Sequence, residues 1–478
     1  MNEPPRRIKM RHIAVGVLLL ATMVIGWYAV RLIALKPGQP GRFNPNVMEI
    51  VESAQSELAG PNGWDDYLAV VSLYEKTTKR LKGETSPKPP ESWTGQAWPV
   101  DVAELSPTTG ADVRSATENV VAAHRESGLF DAMARLSAAR RYVRPIPAGQ
   151  SLLAQNASDA GIAREIAKLA RAQMRLTAEA RDEKSSLASF DQAMTLSEII
   201  GRQSTRFEQL QSIAISGAMY EEARRLAAAG AISPAGLRSM LARIDAARPH
   251  SLVVLFEADW YTLLDTLEWT HSDDGHGDGV LPIGDGRAIA AGPGGARASG
   301  FVAKLSALTK PSKSQSVRMA KPIYDAAIAA ARLPSAPRDA KLRAMTREVE
   351  AIPTQYTVLR ESMPAFGASS PSLMNADAER EGTKLALAIA VFKIEKGRLP
   401  RNLAELSPDI VPAMPGWSYR VTATGETPDG RAYLLYHAGL DGVDNGGKAN
   451  PFGAHSSWNP QYSDGHDYIV DQWNEEHQ

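Results

Sequence analysis

Hydrophobic and polar positions fall into three textures along this chain. The first is a continuous apolar run. From Ile13 to Val30 eighteen residues carry no charge, and Leu32 to Leu35 resume the run after Arg31. That length crosses a hydrocarbon core of ~30 Å once Arg31 snorkels. Trp27 and Tyr28 stand near its far end, where aromatic rings favour the interface. Arg6, Arg7, Lys9 and Arg11 precede it, and no acidic residue lies between Glu3 and Glu49. This bias favours a cytoplasmic N-terminus and an extracytoplasmic, periplasmic body. The expectation is a basic tail over 1–12, a single-pass transmembrane anchor over 13–35 in the cytoplasmic (inner) membrane, and a Pro/Gly/Asn linker over 36–44. A cleaved signal peptide would show a shorter apolar region and a small-x-small site, and no such site follows.

The second texture has helical period. In the stretch after Asn62, Trp64, Tyr67, Leu68, Val71 and Tyr74 fall on one face, with Asn62 as a candidate cap. The Pro-rich segment 86–99 interrupts the pattern. From about Asp112 to Ala246 the chain reads as successive helices, broken at Arg144–Ser151. Ile162, Ile166 and Leu169 make one apolar stripe; Leu187, Phe190 and Met194 make another. Ser233-Pro234 is a strong helix start, and Leu237, Met240, Leu241 and Ile244 follow at helical spacing. Leu169 to Met194 looks like one tetratricopeptide-type helix pair, but no 34-residue period recurs, so an irregular helical bundle is expected over 45–370. Residues 271–300 are rich in glycine and acid and predict a long loop. Helical pattern returns at Ser316–Leu333, Pro337–Glu350 and Ala376–Lys396. Gly397 is placed to cap the last of these, and Asn402 with Glu405 suggests a capping box on a short helix.

The third texture alternates like strands. Of 31 aromatic residues, nine lie between Trp417 and Trp473. WSYRVTA, RAYLLYH and HDYIVDQW are strand-like and separated by turn-rich stretches. The fold class expected is therefore mainly α with a C-terminal α+β module over 375–478: one transmembrane helix, an irregular bundle and a small antiparallel sheet.

Composition narrows the chemistry. Fifty-three basic residues against 54 acidic ones leave no basic excess for nucleic acid. The absence of cysteine excludes disulfides, thiolate catalysis and thiolate zinc sites. No Walker-type loop, G-x-S-x-G elbow or H-E-x-x-H motif occurs, so the expectation leans away from an enzyme.

Two acidic stretches remain. GLDGVDNGG (Gly439–Gly447) holds Asp441, Asp444 and Asn445, and SDGHD adds Asp464 and Asp467. Calcium takes six to eight oxygens from carboxylates and carbonyls on a flexible loop. The first stretch alone has too few ligands, and with Val443 at position three and Phe452 at position twelve it is not an EF-hand. Adding SDGHD brings the count within range. The alternative is that Asp-Gly and Asn-Gly only make the turns they favour, and both stay open. Separately, His271, Asp273, Asp274, His276 and Asp278 could hold zinc or manganese, which would suit a metal-dependent envelope hydrolase. A solvated flexible loop is the simpler account of them.

The C-terminal order also resembles a known family. Leu385–Leu406 (LALAIAVFKIEKGRLPRNLAEL), Ala432–Gly447 and Ser463–Val470 resemble the soluble part of the type II secretion major pseudopilin. The resemblance covers about a fifth of the chain. It implies a helix packed on a small sheet, with calcium pinning the last strands through Asp441, Asp444, Asp464 and Asp467, joined by Asn445. The leader and Phe-Thr-Leu-x-Glu start of that family are missing, and more than three hundred residues separate Val30 from Leu385. A borrowed module is expected, not a pilus subunit. The combined expectation is a membrane-anchored, non-catalytic structural or interaction protein with a protein partner in the envelope. An accessory role in a secretion or pilus-type machine is the neighbouring alternative.

Overall fold

The computed structural model describes residues 41–58, 60–84, 111–152, 158–247, 251–273, 277–279, 310–333, 335–422, 432–439, 442–451 and 465–470, together with 22–23 and 36–37. The expected anchor, 13–35, lies outside the described residues apart from 22 and 23. No described helix is long and apolar enough to cross a membrane. The Pro-rich segment 86–99 and most of 271–300 also lie outside.

The described chain is mainly helical. Helices α1 (Asn44–Ala54), α2 (Trp64–Glu84), α3 (Ala111–Glu126) and α4 (Leu129–Leu136) lead into α5 (Ser158–Glu179), α6 (Glu183–Gly201), α7 (Arg206–Ala228), α8 (Pro234–Ala246) and α9 (Leu252–Thr270). Then come α10 (Lys313–Ala331), α11 (Ser335–Glu350), α12 (Thr357–Ser362) and α13 (Phe366–Lys396). Local chemistry starts many of them. Thr205 and Glu208 form a reciprocal capping box at α7, Ser312 and Gln315 do so at α10, and Ser233 accepts the Gly236 amide at α8 ahead of Pro234. Gly397 ends α13 in the left-handed conformation, φ 67°.

Helix α1 begins at Asn44, the last residue of the expected linker, and Pro45 is accommodated in its first turn. On α2 the buried face is Trp64, Tyr67, Val70 and Val71, whereas Leu68 is 40% exposed. The face is centred away from Leu68, and Val70 takes its place. Asn402 and Glu405 do not form a capping box: the Glu405 carboxylate accepts instead from Arg398 and from the Arg401 amide, and residues Leu403–Leu406 form a single 3-10 turn.

Two large cores organise the bundle. One is built from α2–α8, the second half of α13 and the C-terminal strands, with Tyr67, Phe190, Ile166, Met219, Leu237, Ile244, Leu387 and Tyr468 fully enclosed. Each such side chain contributes roughly 1.5–3 kcal/mol relative to exposure. The other joins α9–α12 to the start of α13 around Phe256, Tyr324 and Phe366, whose rings meet edge to face at 5.1 and 5.2 Å. The boundary expected near residue 370 thus falls inside α13. This helix spans roughly 45 Å at 1.5 Å per residue and belongs to both cores.

Strands β1 (Lys36–Pro37) and β2 (Ser272–Asp273) pair antiparallel. Strands β3 (Trp417–Val421), β4 (Tyr433–His437) and β5 (Tyr468–Ile469) form an antiparallel sheet in sequential order. The sheet lies against α13 at Gly382, where a Cβ would come within 2.7 Å of both Trp417 and Val470. Trp417 Nε1 donates to Glu381 (2.9 Å) and Tyr468 Oη to Glu379 (2.6 Å), keying the sheet to the helix.

Candidate acidic-loop site

The two acidic stretches meet. Strand β4 leads into the Gly-rich loop and β5 returns beside it, so Ala449 bridges Asp467 in parallel register and the Asp467 amide donates to Lys448 O at 2.9 Å. The Asp467 side chain is fully buried, 0% exposed. Its oxygens accept the backbone amides of Asn445 (3.1 and 3.2 Å), Gly447 (2.7 Å) and Lys448 (3.2 Å). This is a concave set of N–H groups closed around a carboxylate that the chain itself supplies. Gly447 makes the closure feasible. Its φ is +78°, and a Cβ there would come within 2.3 Å of Leu434 Cδ2.

Asp444 is exposed and does different work. Its Oδ1 accepts the Gly446 amide (2.8 Å) and the Tyr436 hydroxyl (3.1 Å), and its Oδ2 accepts the Ser418 hydroxyl (3.1 Å). The Gly446 amide, with help from the two hydroxyls, holds its carboxyl below the usual range. Asn445 turns its amide nitrogen back to Val443 O at 2.9 Å. The structure therefore brings Asp444, Asn445 and Asp467 onto one loop. Asp441 and Asp464 lie outside the described residues.

Cation binding needs oxygen lone pairs that face one point. Asp467 turns its oxygens toward three amide donors, and Asp444 spends both oxygens on hydroxyls and an amide. Among the described residues no group of three or more His, Asp or Glu side chains could hold one ion. These residues alone do not supply the six to eight oxygens of a calcium shell. What they do build is a latch between β4, the Gly-rich loop and β5.

Residues 271–273 and 277–279 also make hydrogen bonds. His271 is buried, and its Nδ1 lies 2.9 Å from Thr270 Oγ1. Burial pushes the imidazole down to about 4, so the ring is neutral at physiological pH. Asp278 accepts the Ser314 amide (2.9 Å) and hydroxyl (2.8 Å), fastening the loop to the start of α10, and Asp273 accepts the Gly277 amide (3.3 Å). His276 and Asp274 lie outside the described residues. The described members make structural hydrogen bonds.

Sequence patterns did not reveal a third cluster, at the end of α9. Asp265 is fully buried and accepts the Gly41 amide, the Ser151 hydroxyl (2.9 Å) and the Leu152 amide (2.7 Å). One turn on, buried Glu268 pairs with buried Lys313 at 2.8 Å and faces Arg42 at 3.7 Å. Asn44 Nδ2 donates to Pro147 O (2.8 Å) and Gln150 O (2.9 Å). The chain just after the apolar run is thus fastened to the helical body at several points. The only sequence signal was four acids, Glu257, Asp259, Asp265 and Glu268, on a largely apolar helix.

No family model, no curated protein and no solved structure matches this chain.

Proposed function

We propose that this chain is a single-pass, membrane-anchored extracytoplasmic protein that works by binding a protein partner in the envelope, without catalysis. The observation that carries the proposal is the docking of Lys36–Pro37 and of residues 41–44. In sequence the expected anchor, 13–35, is followed by β1, which pairs with β2, and Gly41 is held by buried Asp265. A body fastened to the residues that leave such a run is held beside the membrane surface. That arrangement suits a scaffold that presents a surface at fixed height.

The absence of cysteine makes the topology easy to test. Val443 is 56% exposed on the acidic loop. With Val443→Cys, a membrane-impermeant maleimide labels the full chain on intact spheroplasts; with Arg6→Cys it labels only after lysis. Labelling of both from outside, or of Arg6→Cys alone, sinks the proposal.

A second reading, an accessory component of a secretion or pilus-type machine, is favoured by the order of elements after α13. A glycine-capped helix, a short 3-10 turn and a sequential three-stranded sheet with an acidic loop before β5 support this reading, since the resemblance implies a helix packed on a small sheet. Cross-linking in cells followed by a pull-down tests it: recovery of no secretion or pilus component removes this reading. Calcium enters this proposal only through Asp441 and Asp464 joining exposed Asp444, since Asp467 is occupied by amides.

A further inference from the structure

Helices α6, α7 and α13 and the end of α8 meet around a cavity of about 60 Å³. At roughly 10–15 Å³ for one water, that is room for several waters or for a solute of a few heavy atoms. Asp377, on α13, is the only exposed residue among the described ones that line it, so the cavity opens there. Tyr220 lines it from α7 and is 4% exposed. Among the described residues its hydroxyl has no hydrogen-bond partner. A buried hydroxyl left without a partner costs stability, and it calls for an occupant that supplies one.

The other polar groups around the cavity offer mainly lone pairs. Ser197 and Ser212 donate to each other's carbonyl oxygens at 2.9 and 2.7 Å, and Ser216 donates to Ile213 O at 3.1 Å. With their hydrogens committed, the three hydroxyls are left as acceptors. The two guanidinium groups are engaged elsewhere. Arg202 donates to Glu198 and to Arg140 O, both at 3.0 Å, and Arg380 donates to Ile244 O (3.0 Å) and Ala247 O (3.3 Å) at the end of α8. Charge is balanced, with Glu198 and Asp377 against Arg202 and Arg380. A cation would therefore meet two guanidinium groups, and an anion two carboxylates. Met194, Ala247 and Ala376 add an apolar wall, where a water would find no hydrogen-bond partner but a carbon chain would pack.

We propose that this cavity binds a small neutral molecule of the polyol class. Its hydroxyls donate to the serine oxygens and to Asp377, and one of them pairs with the Tyr220 hydroxyl. Its carbon chain lies on the apolar wall. The site is independent of the anchor and of the acidic loop.

The test uses the purified full chain in detergent, with glycerol, methylammonium chloride or sodium acetate titrated separately in the millimolar range at constant ionic strength. The melting temperature rises with glycerol and with neither salt, and it follows a binding isotherm, as binding to the folded state requires. The isotherm separates binding from the general stabilisation by osmolytes that are excluded from the protein surface. Ala376→Leu fills the cavity with a helix-favouring residue, removes no hydrogen bond and abolishes the rise. Tyr220→Phe costs no stability without glycerol, because the hydroxyl has no partner in the protein, and it weakens glycerol binding roughly two- to tenfold. A glycerol response that is absent, that is linear, or that persists in Ala376→Leu means that the cavity holds only water and overturns the proposal. So does a saturable response to methylammonium or acetate in place of glycerol, or unweakened binding in Tyr220→Phe. If Ala376→Leu does not fold, the wild-type titrations and Tyr220→Phe decide it.

Discussion

Asp265 and Asp467 are the same device used at two scales. Both are fully buried carboxylates, and both accept backbone amides from other segments. Asp467 ties residues separated by 19 to 22 positions and closes a surface loop. Asp265 ties α9 to Gly41, 224 positions away, and to Leu152, 113 away. Loop-closure entropy grows only slowly with separation, so chain length alone does not make the second tie weaker or stronger. The difference lies in what each one holds. Asp467 positions β5 and the Gly-rich loop, where freed amides can find water. Asp265 positions the segment leaving the apolar run, and its partners sit in the interior, where freed donors stay unsatisfied.

The comparison breaks first at Asp265→Ala. Three donors lose their acceptor inside the protein, at about 1–3 kcal/mol for each buried donor, so a total loss of at least about 3 kcal/mol is expected. Chemical denaturation of the full chain measures it, and limited proteolysis near residues 41–44 shows the freed segment. A loss below that of Asp467→Ala reverses the ranking.

Next in size is a pH effect at the same end of α9. His271 sits at about 4 when folded, below its ordinary value of 6.5. The unfolded chain therefore takes up the proton first as pH falls. The stabilising contribution is complete above pH 6.5 and lost toward pH 4, by about 3 kcal/mol for a shift of this size. Buried Asp259, raised to about 6 by desolvation, acts in the opposite sense, losing its contribution as pH rises through that value. The difference between wild type and His271→Gln isolates the histidine. It grows from pH 4 to pH 7, and a pH-independent difference is evidence against a neutral buried ring.

At the loop, Asp467→Ala is expected to cost about 1–3 kcal/mol, because its three amides face a surface that water can reach. Gly447→Ala follows. It combines a left-handed backbone with a 2.3 Å approach to Leu434, whereas Gly442 is left-handed with open space around its Cβ position. Gly442→Ala should cost about 1–2 kcal/mol and Gly447→Ala more. Equal costs indicate that the loop has no fixed packing against β4. The smallest effect is Asp444→Asn, within about 0.5 kcal/mol for an exposed side chain. If calcium binds through Asp444, a chelator lowers the melting temperature of the full chain and Asp444→Asn abolishes that difference.

Much of the fold was legible in the sequence. Ser233-Pro234 and Gly397 marked helix ends because capping and left-handed glycine are local chemistry. The stripes Ile162, Ile166, Leu169 and Leu187, Phe190, Met194 marked core faces because burial follows helical period, with Ile162 and Leu187 half-buried at the edge. The strand assignments at Trp417, Tyr433 and Tyr468 came from alternation and aromatic content. Legibility failed where the outcome was a competition between partners. Leu68 fits the apolar face of α2, yet Val70 is the residue the bundle encloses. Glu405 has the spacing for a capping box, yet Arg398 captures it. The spacing of Asp467 gave no sign of the three backbone amides that its oxygens accept.

By itself the sequence determined the helical texture, the helix ends, the small sheet and the residue types at each acidic stretch. These depend on interactions between near neighbours, which spacing and composition reveal. The tertiary structure decided which buried carboxylate meets which donor. Asp265 meets amides, Glu268 a lysine, and Glu222 three arginines. Such pairings join residues far apart in the chain, and a buried charge is tolerable only beside the partner that folding brings to it.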